Sequence, residues 1–292
     1  MVRFLEKSEN TSEAVVNALA DKLSGKSSIA IVYCGTVEGL AKHLETILRI
    51  SLGRANVMTM SGDYVHNTLL PYISDFVEHA LLFSSPQSQG CVNRVRQALR
   101  LLGIDSYALL SKPLREATGY VVAEGGGAME LDDSLYRLSI SLANIKLGLR
   151  IGAESRRIKR MEGETKLSNI AREVVELYSK AIEAAEKCSM VITTHSLVTV
   201  GEELSDLGYP HITVDKMSMY MRFANSAALF YTTAEEHIVR EALSVTKAPP
   251  TPKLTHVKIN TDPLTAPLYG LILVQYIRLR KTIATEERHV VI

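Results

Sequence analysis

Apolar positions along the chain alternate between two rhythms. Residues 12–24 carry Val15, Val16, Leu19 and Leu23 at helical spacing, and Gly25 stands where a helix C-terminal cap is expected. Residues 29–33 (IAIVY) then form a short continuous apolar run of the kind that builds a strand buried on both faces, as in a parallel sheet. Gly35 makes a turn, and Leu40, Leu44, Ile47 and Leu48 mark a second amphipathic helix. Residues 55–60 and 76–84 read as further strands. A helix over about 91–102 (Val92, Val95, Leu99, Leu102) closes at Gly103, and residues 107–110 and 120–123 complete a set of five strands. Strands alternating with helices at this pitch predict an α/β fold with a parallel sheet and right-handed crossovers.

The second half repeats the plan. A helical pattern over 166–187 precedes an apolar run at 190–194, as 12–24 precedes 29–33. Residues 80–85 (ALLFSS) match 228–233 (ALFYTT), and Arg96-Gln97-Ala98-Leu99 matches Arg240-Glu241-Ala242-Leu243. Asp133-Ser134-Leu135 opens a long apolar helix in the first half, and Asp262-Pro263-Leu264 does so in the second. Correspondences in the same order predict two diverged copies with unequal loops. The charged stretch 154–166 (ESRRIKRMEGETK) breaks the apolar pattern, so domains are expected over 1–153 and 154–292.

Composition narrows the class. The 292 residues are 46% hydrophobic, enough for two cores, and their 33 basic and 32 acidic side chains nearly cancel. No basic excess argues for nucleic acid or a membrane surface as partner. The most apolar stretch, residues 268–274, falls far short of the roughly 18 residues that span a bilayer. Charge arrives too early at Arg3, Glu6 and Lys7 for a signal-peptide core. Cys34, Cys91 and Cys188 form no CxxC pair, so neither a disulfide framework nor a structural zinc is expected, and a reducing, cytoplasmic setting is. The eight histidines show no HxxxH or HExxH spacing, the Gly125–Gly127 run lacks a nucleotide-loop register, and Gly-x-Ser-x-Gly is absent.

The most informative local feature is Ser84-Ser85-Pro86-Gln87-Ser88 between a strand and a helix. A helix N-terminus exposes unpaired N–H groups and partial positive charge, which suits a phosphate, and clustered hydroxyls add neutral donors. The same serines equally suit plain helix capping. Cys34-Gly35-Thr36 forms a second such turn, where Gly35 permits close backbone approach and Thr36 supplies a hydroxyl. If the two preceding strands are neighbours at a switch in strand order, both turns lie at the sheet edge where such folds take ligands.

This succession resembles the sugar isomerase (SIS) domain: a strand, Cys34-Gly35-Thr36, an Ala-bearing helix, then a strand, Ser84-Ser85-x-x-Ser88, a helix and Gly103. Asp262-Pro263-Leu264-Thr265-Ala266-Pro267-Leu268, followed by Gln275-Tyr276, resembles the closing helix of double-SIS proteins. These include the archaeal phosphoglucose/phosphomannose isomerases and the isomerase half of glucosamine-6-phosphate synthase. Members usually show Gly-x-Gly-Ser/Thr-Ser in the first loop, where this chain has Tyr33 and Val37 at the outer positions. They usually show Ser-x-Ser-Gly-x-Thr in the second, where Phe83, Ser85, Pro86 and Ser88 stand at the Ser, Ser, Gly and Thr positions. Shifting by one lets Ser84 cover the first Ser.

The resemblance implies two SIS-like, flavodoxin-like three-layer αβα sandwiches with parallel sheets, related by internal duplication. It implies a sugar phosphate held by Gly35, Thr36, Ser84, Ser85 and Ser88, no cofactor or metal, and a homodimer whose sites are completed across subunits. Aldose–ketose isomerisation through an enediol needs a base. Aligning Leu204-Ser205-Asp206-Leu207 on the helix end that carries that base in the family implies Asp206, with Glu203 as its alternate. The region where the family places a ring-opening His, residues 219–226, has none, and His211 is the nearest. A phosphosugar-binding protein without turnover is the competing expectation.

Overall fold

The computed structural model of the chain describes residues 1–112, 127–152, 155–246 and 253–290, with side chains as far as residue 282. The strand expected at 120–123 and the first two glycines of the 125–127 run lie outside the described residues. The chain folds as two compact units, Met1–Thr165 and Lys166–Ile292, and the change falls inside the charged 154–166 stretch.

The first unit runs α1 (Val2–Leu23), β1 (Ser28–Cys34), α2 (Glu38–Leu52), β2 (Asn56–Ser61), the short α3 (Gly62–Tyr64), β3 (His79–Ser84), α4 (Gln89–Leu101), β4 (Asp105–Lys112), β5 (Ala128–Asp132), α5 (Asp133–Ile151) and the short α6 (Arg156–Arg160). Its five strands are parallel in the order β2-β1-β3-β4-β5. Each central strand divides its side chains between two cores, which is why these segments read as unbroken apolar runs. Ile29, Ile31, Leu81, Phe83, Tyr107 and Leu109 pack under α1, α2 and α5. Ala30, Val32, Ala80, Leu82 and Ala108 face Val92, Val95 and Leu99 of α4.

Two boundaries differ from the sequence expectation by several residues, each for a local reason. α1 begins ten residues before position 12, because Ser8 Oγ and Ser12 Oγ turn back to the carbonyls of Phe4 and Glu9 and let polar residues sit buried in its first turns. β3 begins at His79 because Phe76 N and Val77 N donate to Ile73 O, extending the preceding 3₁₀ turn. The fifth described strand is Ala128–Asp132; its last residue, Asp132, caps α5 by accepting from Ser134 N at 3.1 Å.

The second unit runs α7 (Leu167–Ala185), β6 (Met190–Thr193), α8 (Val198–Asp206), β7 (His211–Thr213), the short α9 (Met217–Tyr220), β8 (Ser226–Thr232), α10 (Glu236–Val245), β9 (Lys253–Ile259) and α11 (Ala266–Val290). Its parallel sheet has the order β7-β6-β8-β9, so both sheets start in the middle, step to one side and then cross to the other. Met190, Ile192, Ala227, Leu229 and Tyr231 form one core with Val214, Met217 and Val239, while α7 and α8 cover the other face. Asp262 opens the final helix as Asp132 opens α5, accepting from Leu264 N at 2.9 Å. Among the described residues no helix is long and apolar enough to cross a membrane.

His79, at the start of β3, is buried, and loss of water pushes its imidazole down to about 4. The unfolded chain binds this proton below about 6.5 and the folded chain does not until about 4, so stability is complete above 6.5 and falls as pH drops through that window. We expect His79→Leu to remove up to about 1.4 kcal/mol per pH unit of slope between those limits; urea unfolding at pH 7 and pH 5 measures it.

Candidate functional site

The pairing of β1 with β3 sets Cys34 beside Ser84, so the turns that leave these strands start next to each other at the carboxyl edge of the first sheet. They leave at the switch in strand order, since β2 lies on one side of β1 and β3 on the other. Ser85 N donates to Cys34 O at 3.1 Å, which ties the second turn to the first. Gly35 has φ +81°, and a Cβ there would collide with the hydroxyls of both Ser85 and Ser88. Only glycine permits both the left-handed backbone and that approach. Ser85 Oγ and Ser88 Oγ are 3.1 Å apart and hydrogen-bonded.

Thus Gly35, Ser85 and Ser88 meet in one hydroxyl-lined cradle. Thr36 stands exposed on the same turn, held from behind by Arg137 of α5, whose guanidinium donates to Thr36 O at 2.8 Å and Oγ1 at 3.3 Å. Ser84 is different: it is the last residue of β3, fully buried, with its hydroxyl making no hydrogen bond. Sequence reasoning missed Arg137, which had no signal in an otherwise apolar helix pattern.

Against the expectation of separate thiols, Cys34 and Cys91 are joined as a disulfide, with Cα atoms 6.1 Å apart. Cysteine spacing in sequence carries no view of this pairing, which depends on α4 returning past the end of β1. Gly62 sits against both sulfurs, where any Cβ would collide. Cys188 is a buried free thiol. Among the described residues no group of three or more His, Cys, Asp or Glu side chains is arranged to hold a metal.

The candidate acid–base residues lie in the second unit. Asp206 ends α8 and is exposed; because α8 leaves the carboxyl edge after β6, its far end lies at the opposite, amino edge of that sheet. Glu203 is buried, accepting from Arg278 at 2.7 Å and Gln275 at 3.2 Å, both on α11. His211 opens β7, with its ring against Gly201 and Nε2 hydrogen-bonded to Thr193 Oγ1 at 2.8 Å. Burial first, and Lys216 second, push its imidazole down to about 4.

The carboxyl edge of the second sheet holds a second hydroxyl cluster, gathered around Glu235. The core-facing positions and the caps of the two 3₁₀ turns superpose Ser85 on Thr232 and Ser88 on Glu235, one residue out of step with the sequence match of 80–85 to 228–233. Glu235 Oε2 accepts from Thr232 N (3.2 Å), Thr232 Oγ1 (2.8 Å), Thr194 Oγ1 (2.7 Å) and Ser196 Oγ (2.7 Å), and Oε1 from Ser196 N (3.3 Å). The legible signal was the capping-box spacing Thr232-x-x-Glu235.

No protein-family model matches the sequence, and no curated protein does. Solved structures do share the fold. The C-terminal domain of glucosamine-fructose-6-phosphate aminotransferase from Francisella tularensis matches at TM-score 0.61 and 9% identity, over 95% of this chain and 94% of that one. Tagatose-6-phosphate ketose/aldose isomerase from Escherichia coli matches at TM-score 0.60 and 10% identity, over 97% and 90%. Glucosamine-6-phosphate deaminase from Thermotoga maritima matches at TM-score 0.60 and 13% identity, over 97% and 94%. The fold class expected from the sequence, α/β with two parallel sheets, is the fold of these proteins.

A buried carboxylate that loses its cation is left charged in a poor medium. Arg278→Met should therefore destabilise the chain by about 3 kcal/mol, and adding Glu203→Gln should recover most of it. Chemical denaturation of both variants measures the pair.

Proposed function

We infer that the chain binds a sugar phosphate, with the phosphoryl group received by the cradle of Gly35, Thr36, Ser85 and Ser88 and the backbone N–H groups that open α4. The observation that carries this reading is the convergence of Gly35, Ser85 and Ser88 at the strand-order switch, where a glycine is required for two hydroxyls to come together. Neutral donors at a helix start recognise a dianion without burying a counter-charge. The fold likeness to proteins named for glucosamine 6-phosphate, fructose 6-phosphate and tagatose 6-phosphate supports the same ligand class. Ser84, expected in the cradle from the sequence, is fully buried as the last residue of β3 and is left out of it.

Aldose–ketose isomerisation is the finer reading, with Asp206 as base, Glu203 as its alternate and His211 in ring opening. Proton transfer at C1 and C2 requires a carboxylate that reaches the sugar and an imidazole that can exchange a proton near neutrality. Glu203 is engaged with Arg278, and His211 is held neutral by burial. These two observations favour the alternative in which the chain binds the phosphosugar without turning it over. A homodimer is part of either reading, and sedimentation at micromolar concentration reads it.

Fructose 6-phosphate at millimolar concentration should raise the melting temperature, because a ligand that binds only the native state stabilises it by mass action. Ser85→Ala with Ser88→Ala should weaken that binding by about 1–3 kcal/mol. No rise with any hexose phosphate, or full affinity in the double variant, overturns the cradle. Incubation of the wild type with fructose 6-phosphate in heavy water separates the two readings. Aldose product carrying deuterium, lost in Asp206→Asn, establishes the isomerase; no exchange leaves the binding protein.

A further inference from the structure

The two carboxyl edges present the same kind of turns with one decisive difference. In the first unit the third position after the Ser85 cap carries the neutral Ser88; in the second the third position after the Thr232 cap carries Glu235. A capping box alone would be satisfied by Thr232. The Glu235 carboxylate goes further, because Thr194 Oγ1, Ser196 Oγ and Ser196 N reach it from the other turn, the one that leaves β6. Those donors stand where Cys34 and Thr36 stand in the first unit, since Met190 and Ala227 pair as Ala30 and Ala80 do. Four of the five hydrogen bonds converge on a single oxygen, Oε2. Thr194 and Thr232 are fully buried, so their hydroxyls could not be left unmatched without a penalty. This is how a protein holds one oxyanion, and here the oxyanion is covalently its own.

We propose that Glu235 is a tethered anion that permanently fills the second unit's phosphate cradle, so that each chain takes one phosphorylated ligand, in the first unit alone. The proposal deepens the cradle reading of residues 34–36 and 84–88 and rests on it for the ligand class. It follows that replacing the carboxylate by the first unit's own residue, Glu235→Ser, converts the second edge into a receptor for a free oxyanion. His195 takes the place of Gly35 there, exposed and 4.0 Å from Asp215, so the opened cradle would admit a small oxyanion more readily than a whole sugar phosphate.

The test uses the full-length chain carrying Ser85→Ala and Ser88→Ala, which silences the first cradle, with and without Glu235→Ser. Inorganic phosphate is the probe, and chloride at matched ionic strength is the control. The parent should show no phosphate-specific change in melting temperature. The Glu235→Ser variant should melt several degrees lower in chloride and recover progressively as phosphate is added. If it does not fold in chloride, it should refold from urea in phosphate. A variant that gains nothing from phosphate, in melting or in refolding, reduces Glu235 to a helix cap and overturns the proposal. Failure of the cradle reading itself shows separately, as a wild type indifferent to phosphate and hexose phosphates, and leaves the Glu235→Ser comparison standing.

Discussion

The pairing of β1 with β3 is the contact on which the rest of the first unit turns. β2 lies on the other side of β1, so these two strands are adjacent in the sheet yet separated in sequence by a whole crossover. That arrangement parts the turns on either side and leaves a crevice between them. Gly35 can then enter the space beside Ser85 and Ser88, and α4 starts directly after Ser88. The sheet's cores on both faces hold this edge rigid, because Ile31 and Phe83 are locked into one and Val32 and Leu82 into the other.

How much of this was legible in the residues differs between fold and site. The unbroken apolar runs at 29–33 and 80–83 and the helical spacing between them specify strands buried on two faces, and such strands have few alternatives to a parallel α/β sheet. What composition and spacing miss is set by three-dimensional neighbours. Ser8 and Ser12 look like solvent-facing residues until their hydroxyls are seen bonded to their own helix. Cys34 and Cys91 are distant in sequence and close only because α4 returns past β1. The grouping of Gly35 with Ser85 and Ser88 was readable, since each turn carries its own small, hydroxylated signature. Arg137 and Arg278 were not, because each sits on a helix whose pattern is otherwise that of core.

The second unit shows the same architecture put to another end. One-residue displacement between the sequence match and the facing of the strands moves the pairing of 80–85 from 228–233 to 227–232 and brings Glu235 opposite Ser88. A repeat detected by letters alone aligns hydroxyls with hydroxyls and passes over the acidic side chain that differs. The alternation of a strand's faces is a stricter guide, because a shift of one turns every side chain to the wrong side.

The disulfide between Cys34 and Cys91 closes a ring with a sequence separation of 57 that includes β2, β3 and both walls of the crevice. While the bond is intact, peeling β1 from its neighbour at the mouth of the crevice is opposed by the link from the end of β1 to the first turn of α4. Reduction of the bond would remove that link and leave the turns joined by the hydrogen bond of Ser85 N to Cys34 O and by the ladder between β1 and β3.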